Sequence, residues 1–217
     1  MKSILTPGDR LREVLKNRTA EEAVEVFEEI HNGYLTTHDR LVDYCNLLLT
    51  FVSKSLGEKE VKEAWESIIE TFHENSLKRL ESLSHDQRVQ VLLKEHLQHG
   101  GEVSVEEYPD RTIIILHCCG SGGRIRSQGH TDLHPLSPVP GGTTRQCYDW
   151  AFRRQGIPYY CAHCSMISGL YAQRNSGFRL KILYGEQFDN KGKQIGPPCQ
   201  FVLYKKNLEK EGGLDSE

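Results

Sequence analysis

Long apolar runs are scarce in this chain of 217 residues. The two longest, Leu47–Val52 and Ile113–Leu116, fall far short of the ~20 residues that carry a helix across a bilayer, so no membrane partner is expected. The segment from Met1 to Arg10 lacks the apolar core of a secretory signal, and an intracellular, cytoplasmic address follows as an expectation. Blocks of like charge are also missing. Charged residues make up 26% and the formal net charge is −3. No basic stripe is interleaved with aromatic residues, which excludes nucleic acid as an expected partner. The chain has no internal repeat and no low-complexity tract. Its length suffices to bury a core as one large domain or two modest ones, and self-association is left open.

Cysteine, by contrast, is plentiful. Five of the seven cysteines fall between Cys118 and Cys164. In a reducing compartment such clustering points to metal binding or redox chemistry before a disulfide framework. Cys45 stands apart on the apolar side of a helical pattern and is expected to be a small core residue.

Residues 1–100 carry helical periodicity. Thr19 with Glu22 starts a helix whose apolar face runs through Val26, Phe27 and Ile30 to a stop at Asn32-Gly33. Thr36 or Thr37 opens a second helix ending at Gly57. The period repeats from Glu58 to Leu83, and Ser84 with Gln87 forms a capping box for a fourth helix closed by Gly100-Gly101. Four amphipathic helices with short connections predict an up-and-down array. Beyond Gly100, Val103 and Val105 alternate with polar residues, and Pro109-Asp110 turns into the run Thr112–Cys118, predicting a β-hairpin. Thr143 or Thr144 is expected to cap a helix through Cys147 and Trp150. A further helix is expected over Ala162–Ala172 and strands over Phe178–Tyr184 and Cys199–Tyr204. The fold class is therefore α+β: a helical array (1–100) packed on a small antiparallel sheet with helices (101–207), and a disordered tail (208–217).

Two clusters carry the chemistry. The first ends the apolar run Thr112–Leu116 with His117, Cys118, Cys119, Gly120, Ser121, Gly122, Gly123, Arg124 and Arg126. The second is Cys161-Ala162-His163-Cys164. Zinc takes thiolate and imidazole ligands in a tetrahedron, and a CxxC turn can offer two sulfurs to one ion. Strand alternation puts His117 and Cys119 on one face and Cys118 on the other. The economical set is thus Zn2+ on Cys119, Cys161 and Cys164, with His117 or His163 fourth or nearby. Buried thiols in plain packing, or a redox dithiol with Cys161 near a helix N-terminus, are the competing readings. Gly120–Gly123 can form a nest of backbone N–H groups for an anion, with Arg124 and Arg126 gripping a carboxylate through paired hydrogen bonds. The GxxxxGK[ST] pattern of a phosphate loop is absent, so a small-molecule carboxylate suits the site better than a nucleotide. His130 and His134, with Asp132 between them in the proline-rich loop, are candidates as metal ligands or as a general acid–base pair, with solvated loop residues as the competing reading. His31, His38, Asp39 and Asp43 form a weaker cluster in the helical half.

The last sixty residues, with Tyr159-Tyr160-Cys161-x-x-Cys164 followed by a helix, a strand and the closing Gly196-Pro197-Pro198-Cys199-Gln200-Phe201, resemble the L-2-amino-thiazoline-4-carboxylic acid hydrolase-like family. That resemblance implies hydrolytic ring opening of a small sulfur- or nitrogen-containing carboxylate. Two function classes follow. One is a zinc-dependent hydrolase or lyase in which His117, His163 or His130 moves protons. The other is a non-enzymatic module whose fully ligated zinc staples the sheet while the helical half binds a partner.

Overall fold

The computed structural model describes residues 7–17, 19–173, 179–185, 193 and 195–205. Its elements run α1 (Pro7–Asn17), α2 (Ala20–Ser55), α3 (Glu58–Phe72), α4 (Glu74–Glu81), α5 (His85–Gln98), β1 (Glu102–Glu107), β2 (Arg111–Cys118), α6 (Gly122–Ser127), α7 (Ala162–Gln173), β3 (Arg179–Leu183) and β4 (Cys199–Tyr204). The class is α+β, with one antiparallel sheet in the order β1-β2-β4-β3. No helix among the described residues is long and apolar enough to cross a membrane. Phe178, most of the connection between β3 and β4 and the tail from Asn207 lie outside the described residues.

The chain divides into two compact units, Met1–Leu41 and Val42–Glu217. In the first, Val14 and Val26 are buried and the Arg10 guanidinium donates to both carboxylate oxygens of Glu29 at 3.0 and 2.9 Å. Here α2 runs straight through the expected stop at Asn32-Gly33. A glycine in a helix interior costs only about 1 kcal/mol against alanine. Thr37 Oγ1 bonds back to the Gly33 carbonyl instead of opening a new helix.

In the second unit, Gly57 (φ 119) turns the chain into α3, and the Ser84 capping box forms as the sequence predicts, with Gln87 N donating to Ser84 Oγ and Ser84 N to Gln87 Oε1. The long third helix is instead two, α3 and α4, parted at His73. Leu80, Val89 and Leu92 pack on one face of the sheet. The cross-strand register orders that face in rows: Thr112, Leu203 and Leu180; then Ile114, Phe201 and Ile182; then Leu116 beside Cys199. A period of two carries β3 on to Tyr184 in this last row. A second core gathers Leu49, Val61, Trp65, Ile69, Ile157 and Tyr159, among others.

The helix expected after Thr143 does not form. Thr144 N donates to the Ile157 carbonyl and Gly156 N to the Thr144 carbonyl, both at 2.8 Å, while Thr143 bridges Pro158. These threonines are buried in an antiparallel contact, so they are not available as caps. Only a 3-10 turn, Asp149–Ala151, remains, closed by Phe152 and Arg153 at positive φ.

Candidate functional site

The last row of the sheet face opens into a cavity of about 410 Å³, within the 300–1,000 Å³ range common for small-molecule pockets. Its walls are mainly apolar, from α3, α4, α5, α7 and the sheet, and Cys119, Cys161, Cys164 and Cys199 all line it. Among its described lining residues Arg126 is the only lysine or arginine and Glu95 the only acid.

The turn Tyr159-Tyr160-Cys161 is fixed from three sides. Trp65 Nε1 donates to the Tyr159 carbonyl at 2.8 Å, and Tyr160 N donates to Asn46 Oδ1 at 2.9 Å. The Tyr159 hydroxyl donates to Glu58 Oε1 at 2.8 Å. Helix α7 then starts with His163 and Cys164 facing the cavity. The His163 Nδ1–H donates to the Tyr160 carbonyl, and the ring lies between Trp65 and Tyr160, with centroids 5.1 and 4.9 Å away. Burial lowers the His163 pKa to about 4, against the upward pull of that carbonyl. The imidazole is therefore neutral, with its lone pair on Nε2, 3.4 Å from the Cys164 sulfur. Burial also raises the Cys164 thiol well above its usual range, so the S–H donates to Nε2.

Burial pushes the Cys161 thiol up to about 12, although Arg126 and a hydrogen bond with Tyr184 pull it down. Across the cavity, Arg126 donates from Nε to the Gly122 carbonyl at 3.1 Å, from Nη1 to the Gly185 carbonyl at 3.3 Å and from Nη2 to Cys199 Sγ at 3.5 Å. Burial works against the Arg126 charge, and Tyr184, Cys161, Cys199 and Cys119 raise its pKa where they ionise; a guanidinium stays cationic in a protein in any case.

The glycines of the turn serve close approach. A Cβ on Gly122 would overlap Cys161 Sγ, one on Gly120 would overlap the His99 carbonyl, and one on Gly123 would sit 2.8 Å from Cys119 Cβ. Gly120, Ser121 and Gly122 line the cavity, whereas Gly123 is not in its wall. The two arginines part company. Residues i and i+2 on a helix differ by about 200°, and Arg124 donates to the carbonyls of His99 and Gly100 at 2.9 and 3.2 Å instead of facing the cavity.

The structure thus brings together Cys119, Cys161, Cys164, His163 and Arg126 and leaves other expected residues elsewhere. His117 is exposed and bonds Ser104 Oγ through Nε2 at 2.7 Å. The strand ends at Cys118, so the alternation that would pair His117 with Cys119 stops before it applies. His130 pairs through Nδ1 with Asp43 at 2.9 Å, and Asp132 accepts from Thr143 Oγ1 at 2.9 Å; neither lines the cavity. Among the described residues, no three His, Cys, Asp or Glu side chains are grouped closely enough to hold a metal ion.

Cys199, Tyr184 and His96 are among the cavity residues outside the sequence-predicted set. Cys199 and Tyr184 follow from strand parity with Phe201 and Ile182. His96 follows the helical stripe of Val89 and Leu92; its ring meets Phe201 edge-on at 4.5 Å. Its Nε2 is buried without a hydrogen-bond partner, and burial lowers its pKa to about 4. The chain matches no protein-family model, and comparison with curated proteins and with solved structures finds no similar protein in either.

Proposed function

We propose that the protein binds a small, largely apolar carboxylate-bearing molecule in this cavity and acts on it as a hydrolase or lyase. The observation that carries the reading is a single guanidinium, Arg126, set in the wall of an apolar pocket lined by four thiols. A cation in such surroundings interacts with an anion far more strongly than it would in water, and the planar fork suits a carboxylate. The apolar wall excludes water from the bound molecule. His163 offers an oriented acceptor at Nε2 beside the Cys164 thiol, and His96 Nε2 offers a second polar contact. The test is calorimetric titration of the wild type and Arg126→Gln with phenylacetate. Binding that is lost in the variant, with its far-UV spectrum unchanged, is the expected result.

Zinc at Cys119, Cys161 and Cys164 is a second reading of the same wall. It is favoured by His163, because an Nδ1–H bonded to a carbonyl is how metal-binding imidazoles are commonly oriented. The thiols would draw together and release their protons on binding. This reading expects about one equivalent of zinc per chain in purified protein, most of it lost in Cys164→Ser; metal-free protein with reactive thiols would exclude it.

A further inference from the structure

We propose that Cys199 is the nucleophile of the cavity, forming a covalent bond with an electrophilic carbon of the carboxylate that Arg126 holds; this rests on the reading of Arg126 above. Three of the four cavity thiols differ in what their sulfurs touch. Cys164 gives its S–H to His163, and Cys161 shares a hydrogen bond with the Tyr184 hydroxyl. The Cys199 sulfur instead accepts two N–H bonds, from the backbone of Gly185 at 3.0 Å and from the Arg126 guanidinium at 3.5 Å. Donors of this kind stabilise the negative charge that sulfur carries when it attacks.

The chain is shaped to make this contact. Cys199 pairs with Leu116 on the core face of the sheet, one row beyond Phe201, which aims its side chain into the cavity. Gly185 reaches the sulfur because it has no side chain: a Cβ there would lie 2.6 Å from Cys199 N and 2.8 Å from the Pro198 carbonyl carbon. Arg126 Nη2 is a hydrogen bond from the sulfur, so a carboxylate seated on the guanidinium places the next one or two ligand carbons beside Sγ.

The ligand class is therefore a carboxylate with a C=N or conjugated C=C carbon within a bond or two of the carboxyl group. In the step, Sγ bonds to that carbon and the π pair moves to the neighbouring nitrogen or carbon. That atom takes the proton the thiol gives up, so no oxidant or further reagent is consumed.

Iodoacetate and iodoacetamide test this directly, because they differ only in the carboxylate. With either reagent Sγ–C forms, C–I breaks, iodide leaves and the thiol proton goes to solvent. The exposed Cys147 serves as an internal reference, and each site is followed by peptide mass spectrometry. Expected is labelling of Cys199 ahead of the other cavity thiols, with an iodoacetate-to-iodoacetamide rate ratio at least tenfold above that at Cys147. Arg126→Gln should bring that ratio down to the Cys147 value. Phenylacetate binding to Cys199→Ser, measured by calorimetry, reports separately on Arg126. Faster labelling of Cys119, Cys161 or Cys164 while phenylacetate still binds Cys199→Ser overturns the role of Cys199 and leaves the carboxylate reading standing. A Cys199 ratio equal to that at Cys147, with phenylacetate unbound, overturns both.

Discussion

The guanidinium of Arg126 lies over the ring of Tyr184, with 4.7 Å between Cζ and the ring centroid. The contact joins α6 to the end of β3, while the edge of the guanidinium donates to the Gly122 and Gly185 carbonyls and the Cys199 sulfur. A lysine at this position keeps the charge but loses the fork and the planar stacking. Arg126→Lys is therefore expected to weaken carboxylate binding at least tenfold, about 1.4 kcal/mol, measured by calorimetry alongside the wild type.

The glycines separate packing from mere propensity. Gly122→Ala forces a methyl group against Cys161 Sγ and should cost about 1–3 kcal/mol of stability, as overpacking does. Gly33→Ala adds a methyl group in the middle of α2 with nothing within 4 Å. That change should stabilise by up to about 1 kcal/mol. Urea unfolding of the two variants should thus shift in opposite directions.

Acid should destabilise the fold before most carboxylates titrate. Burial holds His96 and His163 at about 4, below the 6.5 of a solvated imidazole. Between those values the unfolded chain binds more protons than the folded one, so stability falls as pH falls. The contribution is whole above about pH 6.5 and is lost progressively down to about pH 4, by at most about 3 kcal/mol per imidazole. His96→Leu should flatten part of that slope in denaturant unfolding followed across pH 4 to 7.

Trp65 is expected to matter through its N–H as well as its bulk. Trp65→Phe removes that donor from the Tyr159 carbonyl, which keeps the Ala162 N–H, at a cost of about 0.5–1.5 kcal/mol for the lost bond. It also removes part of the seat for the His163 ring. Loss of stability in urea together with weaker phenylacetate binding is the expected pair of outcomes.

Signals that act locally were legible in the sequence. The Ser84–Gln87 box forms because both of its bonds close within one helical turn, and the hairpin forms because alternation and the Pro109-Asp110 turn agree. Gly33 and Thr143 misled for opposite reasons. Gly33 is a weak breaker inside a strong helical run, and the hydroxyl of Thr144 is taken by the Arg154 carbonyl, a partner ten residues on. The convergence of Cys119 with Cys161 and Cys164 on one cavity was readable as paired clusters. The split between Arg124 and Arg126 was not, because it depends on the chain turning helical at Gly122. Cys199 and His96 were readable from parity and helical stripe, and only their nearness to Arg126 and the cavity needed the fold.

The account stands on the charge of Arg126 meeting a carboxylate inside the cavity. Calorimetric titration with phenylacetate and with its neutral counterpart phenylacetamide isolates that contact. The account predicts that the acid binds at least tenfold more tightly than the amide and that Arg126→Gln erases the difference. Equal affinities in the wild type, or a preference that survives in Arg126→Gln, would contradict it.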